Sequence, residues 1–175
     1  MAMATNPQHA GKIGIVPSVG ADQIRAVALF CGLYDMEAFA GSGSTGLIEG
    51  DQWMFPLIRW GAETVLWAYT GARKGDLDIL RSMWSIDAVT SSFPATFISG
   101  GNADPLTDSQ SRAFAAKLET LGVRVETLYF PPDHAAQLGH EYQFRLELPD
   151  AKRAITEMTA FLRRELSPPV ESPSS

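Results

Sequence analysis

Pro94-Ala-Thr-Phe-Ile-Ser-Gly-Gly-Asn-Ala-Asp104-Pro-Leu106 is the stretch on which the fold turns. The apolar residues from Ala95 to Ser99, closed off by Pro94 in front and Gly100-Gly101 behind, read as a buried strand. A carboxylate, Asp104, follows at once in a turn held by Pro105. From Asp108 to Leu121 the residues Phe114, Ala115, Leu118 and Leu121 fall on one helical face, and Gly122 supplies a left-handed C-terminal cap. Val123 to Phe130 is rich in β-branched and aromatic residues and stops at Pro131-Pro132, so a further strand is predicted there. After a loop holding His134 and His140, an amphipathic helix is predicted over 150–166, with Ala151, Ala154, Ile155, Met158, Leu162 and Leu166 on its apolar stripe.

Working outward toward the N-terminus, Arg25-Ala-Val-Ala-Leu-Phe-Cys-Gly32 is an apolar run suited to a strand covered on both faces. Helices are predicted over about 55–70, crowded with aromatics from Trp53 to Tyr69, and over 76–84. Strand, helices, strand, helix, strand, helix is the alternation of a parallel α/β sheet. Residues 1–166 are expected to form a single domain, and the Pro- and Ser-rich tail 167–175 to be disordered. Three strands are few for this length, so part of the sheet is expected to be missing.

Composition narrows the function. The chain has 175 residues, 45% hydrophobic, with 14 basic against 20 acidic side chains and a formal net charge of -6. That balance lacks the basic footprint that binding phosphates requires, and argues against nucleic acid as partner. The run Ala26 to Tyr34 is about half as long as a bilayer-crossing helix needs, so no membrane span is expected. No basic, then apolar, leader opens the chain, and its single cysteine, Cys31, cannot form an internal disulfide; a cytoplasmic location is expected.

In open α/β sheets functional groups collect beyond the carboxyl ends of the strands. Here an acid follows one strand and a histidine the next, the chain order of the last two members of a serine–acid–histidine triad. The block from Pro94 to Phe144 with the final helix resembles the C-terminal part of the hormone-sensitive-lipase-like carboxylesterases, within the α/β-hydrolase superfamily. Asp104-Pro-Leu106 matches that family's catalytic-acid motif, and Phe130-Pro131 leading to His140-Glu-Tyr142 matches the approach to its histidine. Phe30-Cys-Gly-Leu-Tyr-Asp35 is similar to the strand end that precedes the family's cap-contacting loop.

The resemblance implies a partial α/β-hydrolase fold and hydrolysis of small carboxylic esters without a cofactor. It also implies that Asp104 is the acid and His140 the base, with His134 second choice because it follows the strand sooner. One departure matters. Neither a Gly-x-Ser-x-Gly nucleophile elbow nor an His-Gly-Gly-Gly type oxyanion loop occurs in the chain. The nearest imitation, Ser42-Gly-Ser44-Thr-Gly46, begins with serine and sits in a loop without the strand-to-helix turn an elbow needs. No nucleophile is therefore assigned, the chain reads as the half of an esterase that follows its serine, and it is expected to be inactive alone.

Other groups have plainer readings. A metal site from Asp133, His134, His140 and Glu141 fits no zinc spacing, so no metal is expected. The aromatic stripe at 53–69 reads as core before acyl pocket, Cys31 as a buried structural thiol, and His9 as without signal. The strand at 26–31 would leave its outer edge bare, which predicts a homodimer or other association through that edge. The competing function is a non-enzymatic interaction module derived from a hydrolase.

Overall fold

In the computed structural model, residues 16–35 and 86–167 are described almost continuously, with isolated positions 11, 14, 64, 67, 68, 71, 76 and 78. His9, Ser42, Ser44 and the tail beyond Ser167 lie outside the described residues, as do most of the helices expected over 55–70 and 76–84. Within the first of these, Thr64, Trp67 and Ala68 are helical, and Trp67 is 55% exposed, so the core reading fails for that one aromatic.

Among the described residues, three parallel strands form the sheet in the order β1-β2-β3: β1 is Ala26–Phe30, β2 is Ala95–Gly100 and β3 is Val125–Tyr129. Ala26 pairs with Ala95 and Phe30 with Ser99 in one ladder, while Thr96 pairs with Val125 and Gly100 with Tyr129 in the other. This register brings all three carboxyl ends to one side of the sheet.

Side chains alternate across the central strand. Ile98 packs with Val27, Phe93, Phe114, Ala115, Leu118 and Val123 on one face, beneath helix α1 (Ala113–Thr120). Phe97 packs with Leu128, Phe130, Leu138, Tyr142, Ala154 and Phe161 on the other, beneath helix α2 (Pro149–Leu166). Both sheet faces are therefore covered, as the continuous apolar runs require. Each fully buried aliphatic or aromatic side chain here contributes about 1.5–3 kcal/mol.

The helices differ from their sequence expectations in instructive ways. α2 starts with Pro149 in its first turn, where a missing N–H costs nothing, and ends on Arg163 and Arg164, which favour its negative end. Its inward face is Ala151, Ala154 and Phe161, with Met158 and Leu162 partly buried; Leu166, expected on the stripe, is 57% exposed. α1 is shorter than the expected 108–121 span because Thr107–Arg112 forms a π-helical stretch first. Its end closes as foreseen: Gly122 adopts φ 75°, its N–H donates to the Glu119 carbonyl at 2.9 Å, and the Val123 N–H to Leu118 at 3.0 Å. That pair of bonds is a Schellman cap.

Candidate active site

The loop after β2 is built to hold a carboxylate. The Leu106 N–H donates to Asp104 Oδ1 at 3.0 Å and the Thr107 N–H to the Asp104 carbonyl at 3.0 Å, so the turn closes on its own acid. Thr107 Oγ1 donates to the Gly101 carbonyl at 2.7 Å. The Asp104 side chain is fully buried, with 0% exposure.

The loop after β3 is pinned against it. The Leu138 N–H donates to Asn102 Oδ1 at 2.9 Å, and the Ala103 N–H donates to the Leu138 carbonyl at 3.0 Å. So close is this approach that a Cβ on Gly101 would lie 1.9 Å from the Leu138 carbonyl oxygen, which is why the position suits glycine. Two residues past His140, Tyr142 is buried and anchors the loop from the other side. Ser99 Oγ donates to the Leu128 carbonyl at 2.7 Å, using its only proton, so the Tyr142 hydroxyl donates to Ser99 Oγ across 2.6 Å. The Tyr142 ring stands edge-on to Phe130 at 5.5 Å.

Held between Leu138 and Tyr142, His140 places Nδ1 3.3 Å from both carboxylate oxygens of Asp104. Its side chain is 49% exposed, and among the described residues its Nε2 has no hydrogen-bond partner. His134, the other histidine of this loop, lies elsewhere: its Nε2 is 3.0 Å from Asp150 Oδ2, tying the loop to the first turn of α2, and its ring packs 5.0 Å from Phe130. The geometry thus joins Asp104 with His140 and not with His134.

A third group was not foreseen at this place. Cys31, immediately after β1, takes a left-handed backbone conformation with φ 48° and turns a buried thiol toward the pair. The Glu141 N–H donates to its Sγ at 3.2 Å, and the thiol lies 3.8 Å from the Gln143 carboxamide oxygen. Burial first, then the nearby Asp104 charge, push the Cys31 thiol up to about 12 against the opposing Glu141 N–H, so it is neutral at pH 7. Cys31, Asp104 and His140 are the one group of three metal-capable side chains among the described residues, with a donor atom from each within 4.8 Å of the others. The set weighed from sequence, Asp133, His134, His140 and Glu141, is not brought together. Burial of Cys31 was legible, but its proximity to the acid depends on β1 pairing beside β2, which sequence spacing does not give.

The segment after Cys31 is fixed from the π-helical stretch. Buried Gln110 accepts the N–H groups of Tyr34 at 2.9 Å and Asp35 at 2.8 Å through Oε1, and its Nε2 donates to the Asp35 carbonyl at 3.2 Å. The Tyr34 ring stacks on Phe114 with centroids 4.5 Å apart. A π-helical turn widens the helix by one residue, and its use beside a site is a recurring pattern.

No protein-family model and no curated protein matches the sequence. Solved structures do match. An inhibited esterase B from Lactobacillus rhamnosis superposes with a TM-score of 0.63 at 16% identity, covering 94% of this chain and 48% of that one. A bacterial heroin esterase gives a TM-score of 0.55 at 20% identity, over 92% of this chain and 47% of that one. The chain therefore spans about half the length of these esterases and has a partial α/β-hydrolase fold.

Proposed function

We propose that this chain carries the acid and base of a serine carboxylic-ester hydrolase and takes its nucleophile from a segment outside its own 175 residues. The observation that carries the reading is the buried Asp104 carboxylate 3.3 Å from Nδ1 of the half-exposed His140 ring. Asp104 holds the proton on Nδ1 and stabilises the imidazolium, while Nε2 takes the proton of an incoming serine hydroxyl and returns it to the leaving alcohol. Small carboxylic esters are the substrates, no cofactor is required, and the esterase fold of the solved neighbours supports this class. The single cysteine supports a cytoplasmic location.

Among the described residues, the outer edge of β1 has no strand beside it. That edge is the natural seat for the serine-bearing half, or for a second copy of this chain in a homodimer. The same edge supports the second reading, an interaction module without turnover.

The test is hydrolysis of p-nitrophenyl acetate and butyrate by the chain alone and mixed with the serine-bearing half of a related esterase, with the mass in solution measured on the same samples. The expected result is no turnover alone, and turnover in the mixture that Asp104→Ala and His140→Ala each abolish. Turnover in the mixture that survives both substitutions overturns the assignment. Fluorophosphonate labelling of Ser42 or Ser44 in the chain alone would move the nucleophile inside it.

A further inference from the structure

We propose that Cys31, Asp104 and His140 together form a binding site for a zinc-class divalent cation. This goes beyond the hydrolase reading and does not depend on it. The three side chains come from three separate loops, one after each strand, yet a sulfur, a carboxylate oxygen and a ring nitrogen lie within 4.8 Å of one another. Thiolate, imidazole and carboxylate together are the donor set that zinc, cobalt and cadmium share.

Three details favour coordination. The distance from His140 Nδ1 to both Asp104 oxygens is 3.3 Å. Two ligands each about 2.0–2.1 Å from a tetrahedral zinc are separated by about 3.3 Å, so nitrogen and oxygen already stand at a coordination edge. The supporting shell is in place as well: the Glu141 N–H points at the sulfur at 3.2 Å and the Leu106 N–H at Asp104 Oδ1 at 3.0 Å, bonds that orient the two ligands, and the neutral Cys31 thiol gives up its proton to solvent as the cation binds. Finally, the thiol and carboxylate are buried while His140 is half exposed, which leaves entry and a fourth, solvent-held position on the imidazole side.

The non-glycine left-handed conformation at Cys31 is a local strain of the sort that collects at functional sites. A cation on Nδ1 would replace the proton that Asp104 holds there, so binding metal and acting as a serine base exclude each other. The site is then an off-switch for the dyad when the dyad is in use.

The chain, stripped with a chelator, would be titrated with Co2+ and Cd2+ and followed by the thiolate-to-metal charge-transfer band. One equivalent per chain is expected, with the band lost in Cys31→Ala and affinity reduced at least about tenfold in Asp104→Asn and in His140→Ala, as loss of even a supporting partner does. His134→Ala should bind like the parent chain. A measurement without any variant guards against misfolding: on adding Zn2+, the ring signals of His140 should shift while those of His9 and His134 stay. Absence of a thiolate band with Co2+ and Cd2+, or zinc shifts confined to His9 or His134, overturns the proposal while leaving the Asp104–His140 pair free to complete a triad. A mixture without ester turnover sinks the hydrolase reading and leaves the cation site standing.

Discussion

The Leu138 N–H donates to Asn102 Oδ1 at 2.9 Å, joining the loop that carries His140 to the loop that carries Asp104. With the return bond from the Ala103 N–H to the Leu138 carbonyl at 3.0 Å, it holds the two loops together independently of the contact between acid and base.

Gly101→Ala is the sharpest test of that arrangement. A methyl group 1.9 Å from a backbone carbonyl oxygen cannot be absorbed by a rotamer change, so the loops must part. The expected cost is about 1–3 kcal/mol of stability by urea denaturation. The ring signals of His140 should also move toward those of Asp104→Asn.

Gln110→Ala removes a buried carboxamide that serves both Tyr34 and Asp35. Each hydrogen bond contributes about 0.5–1.5 kcal/mol, and buried groups deprived of a partner cost more, so a loss of about 2–4 kcal/mol is expected. Amide exchange should accelerate at Tyr34 and Asp35 well before the β2 amides respond; uniform acceleration would mean that the clamp is not local.

The two histidines should part company. His134→Ala severs the link to Asp150 at the start of α2 and should cost about 1 kcal/mol. His140→Ala removes a half-exposed ring whose space water fills beside Asp104, and so should leave the stability within about 0.5 kcal/mol of the parent. The reverse order would contradict both placements.

Alkali should destabilise the chain. Burial raises Cys31 from 9.0 to about 12, and Tyr129 and Tyr142 from 10.0 to about 12, with Tyr34 raised further still. Each group ionises more easily unfolded than folded, so its contribution is fully present below the unfolded value and is lost as pH rises through the folded one. Urea midpoints should be level up to about pH 9 and fall from there to about pH 12. A flat profile over that window would show that these hydroxyls and the thiol are open to water.

Much of the fold was readable along the chain. The apolar run ending at Gly100 and the helix ending at Gly122 announced themselves because local chemistry, a strand stop and a left-handed cap, decides them. The placing of a carboxylate in the turn after that strand was legible for the same reason, whereas the reading of Asp104 as an acid came only with the resemblance. The choice between His140 and His134 rested on resemblance, since spacing alone favoured the earlier residue; the geometry turns on Asp150, which takes up His134 from the next helix. Cys31 was missed as a neighbour of the pair because strand order is a long-range fact. The π-helical stretch was missed because its Gln110 bonds to a segment 75 residues away, which no local pattern shows.

The register of β2 against β3 carries a consequence for anyone handling this chain. Ser99 sits opposite Leu128, and the Tyr142 hydroxyl closes onto that rung from the loop bearing His140. A slip of one residue would swap Phe97 with Ile98 between the two cores and carry Asp104 out of reach of the imidazole. The resonance of a single half-exposed ring therefore serves as a quality gauge for the whole sheet, readable in each preparation before any substrate or ion is added.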